Sequence, residues 1–267
     1  MNKIIFPMKV HAVKLAYRKL LLDMLPHGYI KNINGKQYVI VTSDPDYPNC
    51  NTRHPRKLSL AREYGKNYSE KINEYLSIKQ EYDALLVSWN ATYSFSPPGV
   101  KFPINQFFDP HAMNNEYFNR TMDCKGKYKA ENPTISDHGE LKSKNEQIGA
   151  DLLKQMDVRF KYEPEIYLAS INETINPDYL INFYEIDRCA YLEILGMNDK
   201  VDYSLKTATK ITGFSKDRFR PGREVIYIHI YDKQNFDEDY FVGQVLSAFD
   251  AMIPDNALIW ESNAKAV

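Results

Sequence analysis

Two acidic residues at the margins of apolar, β-prone runs constrain this chain more than any other feature. Pro177-Asp178-Tyr179 opens the run 179–184, and fifteen residues after the aspartate Leu192-Glu193-Ile194 lies in the run 189–195. β-branched and aromatic residues at this density favour strands, and a carboxylate among them is costly to bury unless something pairs with it. A divalent cation is the expected partner. The tight acidic turn Glu185-Ile186-Asp187 joins the two runs, which predicts an antiparallel pair.

The flanking segments extend the pattern. Residues 144–153 have apolar positions at helical spacing, with Glu146 one turn before Ala150 on the face of Leu153, so a third acid leans toward a core. Residues 202–212 read as a short helix entered through Asn198-Asp199, with Tyr203, Lys206 and Lys210 along one stripe. Core strands are expected at 159–169, 177–184 and 188–195, a clean alternating strand at 224–231, and a closing helix at 237–252 with Phe241, Val245, Leu246, Phe249 and Met252 inward. Glu163 and Glu165 alternate with Tyr162 and Pro164 and read as edging the sheet.

Ser143-Lys144-Asn145-Glu146, Tyr162-Glu163, Pro177-Asp178-Tyr179, Leu192-Glu193-Ile194-Leu195-Gly196-Met197, and Tyr203 with Lys210 stand in this order over about residues 140–232. Together they resemble the PD-(D/E)XK nuclease superfamily, and most nearly a bacterial branch with the pattern S-K-x-E, P-D-[FY], E-x-x-G-M and Y-x6-K. The resemblance implies an α/β fold with a mixed sheet. Its core would be αβββαβ and restriction-endonuclease-like, preceded by an N-terminal helix, a β-hairpin and a helical extension. It implies hydrolysis of phosphodiester bonds, in DNA, at a Mg2+ or Mn2+ site formed by Asp178, Glu193 and Glu146, with the Ile194 carbonyl as a further ligand. The superfamily's E-x-K would place a lysine at 195, where this chain has Leu195. Members that supply the lysine from the following helix make Lys210 the first substitute and Lys206 the reserve, and Lys210 must then reach the Glu193 carboxylate. The missing lysine also supports an alternative, a catalytically degenerate nuclease fold acting as a nucleic-acid-binding or structural assembly module.

A chain of 267 residues holds one large or two modest domains. Here residues 1–135 are expected to form an accessory region and 136–267 the nuclease-like domain. In the first half, 10–24 reads as an amphipathic helix with Val13, Ala16, Leu20, Leu21 and Leu22 inward and Lys14, Arg18 and Lys19 outward. Asn34-Gly35 predicts a hairpin between 28–33 and 36–42. Residues 43–57 form an irregular loop carrying Arg53, His54, Arg56 and Lys57, and 58–89 one or two charged helices. Arg53, Arg56 and Lys57, with Lys144 and Tyr203, are the candidate nucleic-acid contacts; a solvated basic loop is the competing account of the first three. Residues 91–137 read as a linker or lid, in which Asp109 and His111 are surface polar groups rather than a metal pair.

A net charge of −1 excludes a generally basic coat, leaving only local positive patches for nucleic acid. Cys50, Cys124 and Cys189 are widely spaced, so neither a disulfide framework nor a zinc site is expected. With no apolar run of bilayer length, a cytoplasmic protein without a membrane partner is expected. Cleavage of both DNA strands would need two sites, hence a homodimer or a larger complex.

Overall fold

The computed structural model describes residues 4–104, 113–123, 134–136, 139–196, 201–230 and 236–260. Backbone contacts divide the chain into two compact units, His11–Val100 with Ile259–Val267, and Met1–Val10 with Lys101–Leu258.

The first of these units contains α1 (Met8–Met24) from residue 11 onward, β1 (His27–Ile33), β2 (Lys36–Ser43), β3 (Arg56–Ser59), the single long helix α2 (Glu63–Thr92) and the two-residue β4 (Gly99–Val100). β1, β2 and β3 form an antiparallel sheet in sequence order. Asn34 and Gly35 both take positive φ, 52° and 73°, which matches the twist of a two-residue hairpin. Val39, Val41, Cys50, Tyr68 and Ile72 make its core. A Cβ at Gly65 would stand 2.0 Å from the Ser59 carbonyl oxygen, so only glycine allows α2 to start this close to β3.

The inward face of α1 differs from expectation. Val13 and Leu22 are buried as expected, but Lys14 and Arg18, expected outward, are buried with them, as are His11 and Leu15, whereas Leu20 is exposed. Partners on α2 explain two of the buried polar groups: the His11 ring bonds the Leu85 carbonyl at 2.9 Å and Arg18 Nε reaches Glu81 at 3.3 Å. Polar groups satisfied in this way can be buried where isolated ones cannot.

The second unit contains α3 (Asn115–Arg120), the antiparallel pair β5 (Thr134–Ser136) and β6 (Gly139–Leu141), α4 (Lys144–Gln155), β7 (Arg159–Tyr162), β8 (Ile166–Leu168), β9 (Glu173–Ile175), β10 (Tyr179–Phe183), β11 (Arg188–Leu195), α5 (Val201–Lys216), β12 (Val225–His229) and α6 (Glu238–Ala251). The main sheet has the order β12-β11-β10-β7. β7, β10 and β11 are antiparallel, and β12, arriving after α5, is parallel to β11. The fold is thus mixed α/β, with a helix-strand-strand-strand-helix-strand core.

Pleating separates the two faces of this sheet. Leu180, Cys189, Tyr191 and Val225 meet Phe118 of α3 and Phe214 of α5 on one face. On the other, Phe183 stacks on Phe249 of α6, and Gly149 of α4 closes on Ile194 and Phe241. Each fully buried side chain of this size contributes about 1.5–3 kcal/mol of transfer free energy.

One boundary differs from expectation. The strand expected over 159–169 stops at Tyr162, because Glu163 turns the chain at φ 45° ahead of Pro164, and Ile166–Leu168 pairs instead with β9. The compact unit that holds the main sheet takes in Met1–Val10 and Lys101–Leu258, and Met113 and Phe118 are built into its core. Asp109, His111, Cys124, Met197 and Asn198-Asp199 lie outside the described residues. No described helix is long and apolar enough to cross a membrane.

Candidate active site

Strand register brings the acids together. Tyr179 pairs with Leu192 on one side and with Tyr162 on the other. One rung further, the same antiparallel register sets Asp178 opposite Glu193 and opposite Glu163. Two hydrogen bonds hold that rung: Ile194 N–H donates to Asp178 Oδ2 at 2.6 Å, and Glu163 N–H donates to the Asp178 carbonyl at 3.0 Å. Glu193 in turn lies beside Tyr227 of β12. Asp178 and Glu193 therefore project to the face of Leu180 and Tyr191, the one covered by α5.

From α5, Lys210 Nζ donates to both oxygens of Glu193, at 3.0 and 3.1 Å. The helix comes this close because of Gly213, where a Cβ would stand 2.9 Å from the side chains of Leu168 and Ile171. Lys210, Gly213 and Phe214 share the inward stripe at i, i+3 and i+4. Lys206 sits one turn earlier and is exposed, so it does not join the group. The side chain of Tyr203 lies outside the described residues, and Lys144 is exposed.

Glu146 has a different setting from the one expected. Ser143 is the N-cap of α4, and its Oγ accepts from Glu146 N–H at 3.2 Å. The Glu146 carboxylate folds back to accept from Ser143 Oγ at 2.9 Å, Lys142 N–H at 2.9 Å and Tyr162 OH at 2.5 Å. This is a capping-box arrangement, and it engages both carboxylate oxygens. Tyr162 and Tyr179, whose hydroxyls hold Glu146, point to the face opposite Asp178. Its charge nevertheless reaches Asp178 around the end of the strands.

Electrostatics follow from this crowding. Burial, and then the charge of Glu193, push Asp178 well above the usual carboxylate range, against the pull of the Ile194 amide. Burial also raises Glu193, with Lys210 opposing. Glu163, read from the sequence as edging the sheet, is 5% exposed. It is ion-paired through Oε1 to Lys142, and burial raises it despite that lysine. Glu163 and Lys142 are the site residues that spacing does not reveal; the only signal was the Tyr162-Glu163 dipeptide in the resemblance.

The basic loop is largely committed to its own unit. Arg56 donates to Asp44, Tyr68 and Tyr64 and lies 3.8 Å from the Tyr47 ring centre, while Lys57 sits over Tyr38 at 4.1 Å. Arg53 is exposed.

The donor set suits a hard divalent cation: oxygen atoms only, two of the carboxylates on facing rungs, and Glu163 Oε2 buried without a hydrogen-bond partner. Among the described residues, no three acidic, histidine or cysteine side chains are close enough, as they stand, to hold an ion. The lysines occupy the carboxylates instead. No family model, curated protein or solved structure matches the chain.

Proposed function

We propose that this protein is a metal-dependent nuclease that hydrolyses phosphodiester bonds in DNA, as the resemblance to the PD-(D/E)XK superfamily implies. One observation carries the reading: Asp178 and Glu193 face each other across β10 and β11, and the Lys210 amine grips both oxygens of Glu193. That reach is the condition for a lysine from the following helix to replace the one missing at 195.

Asp178 and Glu193 would hold Mg2+ or Mn2+. The ion supplies charge neutralisation on the phosphate and a water acidic enough to attack near neutral pH. Asp178 is oriented by the Ile194 amide. Glu193, positioned by Lys210, keeps that amine beside the reacting centre, where its positive charge stabilises the negative charge that develops on the phosphoryl oxygens. Glu146 acts through structure, by capping α4 and placing Tyr162.

A second reading, nucleic-acid binding without turnover, is favoured by one feature, Leu195 in the place of the superfamily's lysine. Plasmid nicking separates the two. Supercoiled DNA with Mn2+ is expected to relax under the wild-type protein, to stay intact with a chelator, and to be cut at least about a hundredfold more slowly by Asp178→Ala. Absence of cutting on double-stranded, single-stranded and branched DNA would overturn the nuclease reading.

A further inference from the structure

The row of acids does not end at Asp178. Glu163 occupies the third position, on β7's outgoing turn, and only 7% of its side-chain area is exposed. One of its oxygens is bound by Lys142, and the other, Oε2, is buried with no donor. A buried carboxylate oxygen without a donor is unfavourable, and a partner carrying positive charge suits it. Its surroundings indicate which kind. Glu193 and Glu146 interact electrostatically with Glu163, and so does Lys210, so this carboxylate belongs to the same field as the proposed catalytic pair. Across the row, Glu163, Asp178 and Glu193 set three carboxylates against the ammonium groups of Lys142 and Lys210. Negative charge is in surplus.

We propose that Glu163 is a third ligand of the cation held by Asp178 and Glu193, binding through Oε2 while Lys142 retains Oε1. The proposal rests on the nuclease reading for the cation itself and adds the residue that completes its coordination. Among the described residues no three acids stand close enough to hold an ion as they are, so the cation must draw a glutamate from its lysine to be shared. Glutamate side chains turn readily when a stronger cation competes, and rotamer changes of this size commonly accompany binding.

Calorimetric titration of Mn2+ alone into the wild-type protein, E163Q, D178N and K142M tests this, with circular dichroism confirming that each is folded. E163Q is expected to bind Mn2+ about tenfold or more weakly than wild type. K142M, which frees the second oxygen and removes a competing charge, is expected to bind roughly threefold more tightly. A purely structural Glu163–Lys142 pair would lower stability in both variants and tighten Mn2+ in neither. Binding lost in D178N but unchanged in a folded E163Q would overturn the role of Glu163 and leave the nuclease reading standing. If E163Q does not fold, K142M decides, and an unchanged affinity there overturns the proposal. No Mn2+ binding by wild type would overturn both.

Discussion

Asp44 and Asp178 are both aspartates held in a folded interior, and the chain treats them in opposite ways. Asp44 is 4% exposed and fully served: Oδ2 accepts from Arg56 at 2.9 Å and from Tyr68 at 2.7 Å, and Oδ1 accepts from Asp46 N–H at 3.1 Å. Arg56 is held in turn by Tyr64 and by the face of Tyr47. Asp178 has the Ile194 amide and, across the strand, another carboxylate, while the Lys210 amine grips Glu193. A buried charge compensated inside the fold supports the fold; one left with a like-charged neighbour weakens it and suits a ligand that brings positive charge.

Substitution should expose that contrast directly. Asp44→Ala removes the acceptor from a guanidinium and a phenol at once, and is expected to destabilise the chain by about 3–5 kcal/mol, the usual cost of breaking a buried pair. Urea unfolding followed by tryptophan fluorescence reports it through Trp89, which is buried in the same unit. A loss under about 1 kcal/mol would mean that the network is decorative, and the comparison would break. Lys210→Met comes next. It strands the Glu193 carboxylate, but a third of the lysine side chain meets solvent, so roughly 1–2 kcal/mol is expected rather than the full buried-pair value. The same variant should lose nicking, since the amine is gone from the centre.

How much of this was legible beforehand depends on how local each cause is. β11 spans 188–195 as its apolar run indicates, and α6 starts beside Asp237, whose side chain caps Tyr240 N–H, a signal contained within one turn. Ser143-Lys144-Asn145-Glu146 carries the capping-box signature equally locally, although the resemblance makes its glutamate a metal ligand. The inward face of α1 was legible only in part. Lys14 and Arg18 look like a solvated side until Glu81, more than sixty residues later, provides a partner for Arg18. Glu163 was hidden for a different reason: its direction follows from a left-handed backbone turn, a conformation few non-glycine residues adopt and no periodicity announces. Lys210 and Glu193 are seventeen residues apart on different elements, and only the resemblance connected them.

Asp178→Asn sharpens the comparison with the opposite sign. The amide keeps an oxygen for Ile194 N–H and removes the repulsion with Glu193, so stability should rise by about 1 kcal/mol, or roughly 2–4 °C in melting temperature for a domain of this size, while nicking disappears. Its pH dependence is the subtlest expectation. In the folded state Asp178 holds its proton to higher pH than in the unfolded chain. The native state therefore binds more protons between the unfolded and folded values, and native stability falls as pH rises through that window. Below the unfolded carboxylate range, near pH 4, Asp178 is protonated in both states and Asp178→Asn should match wild type. The gap should open as pH rises through the folded value and level off above it. Thermal melts of the two proteins at matched ionic strength, from pH 4 to 8, measure that gap. A constant offset across the range would mean that Asp178 carries no extra proton in the folded state, and its contrast with Asp44 would then lie in hydrogen bonding alone.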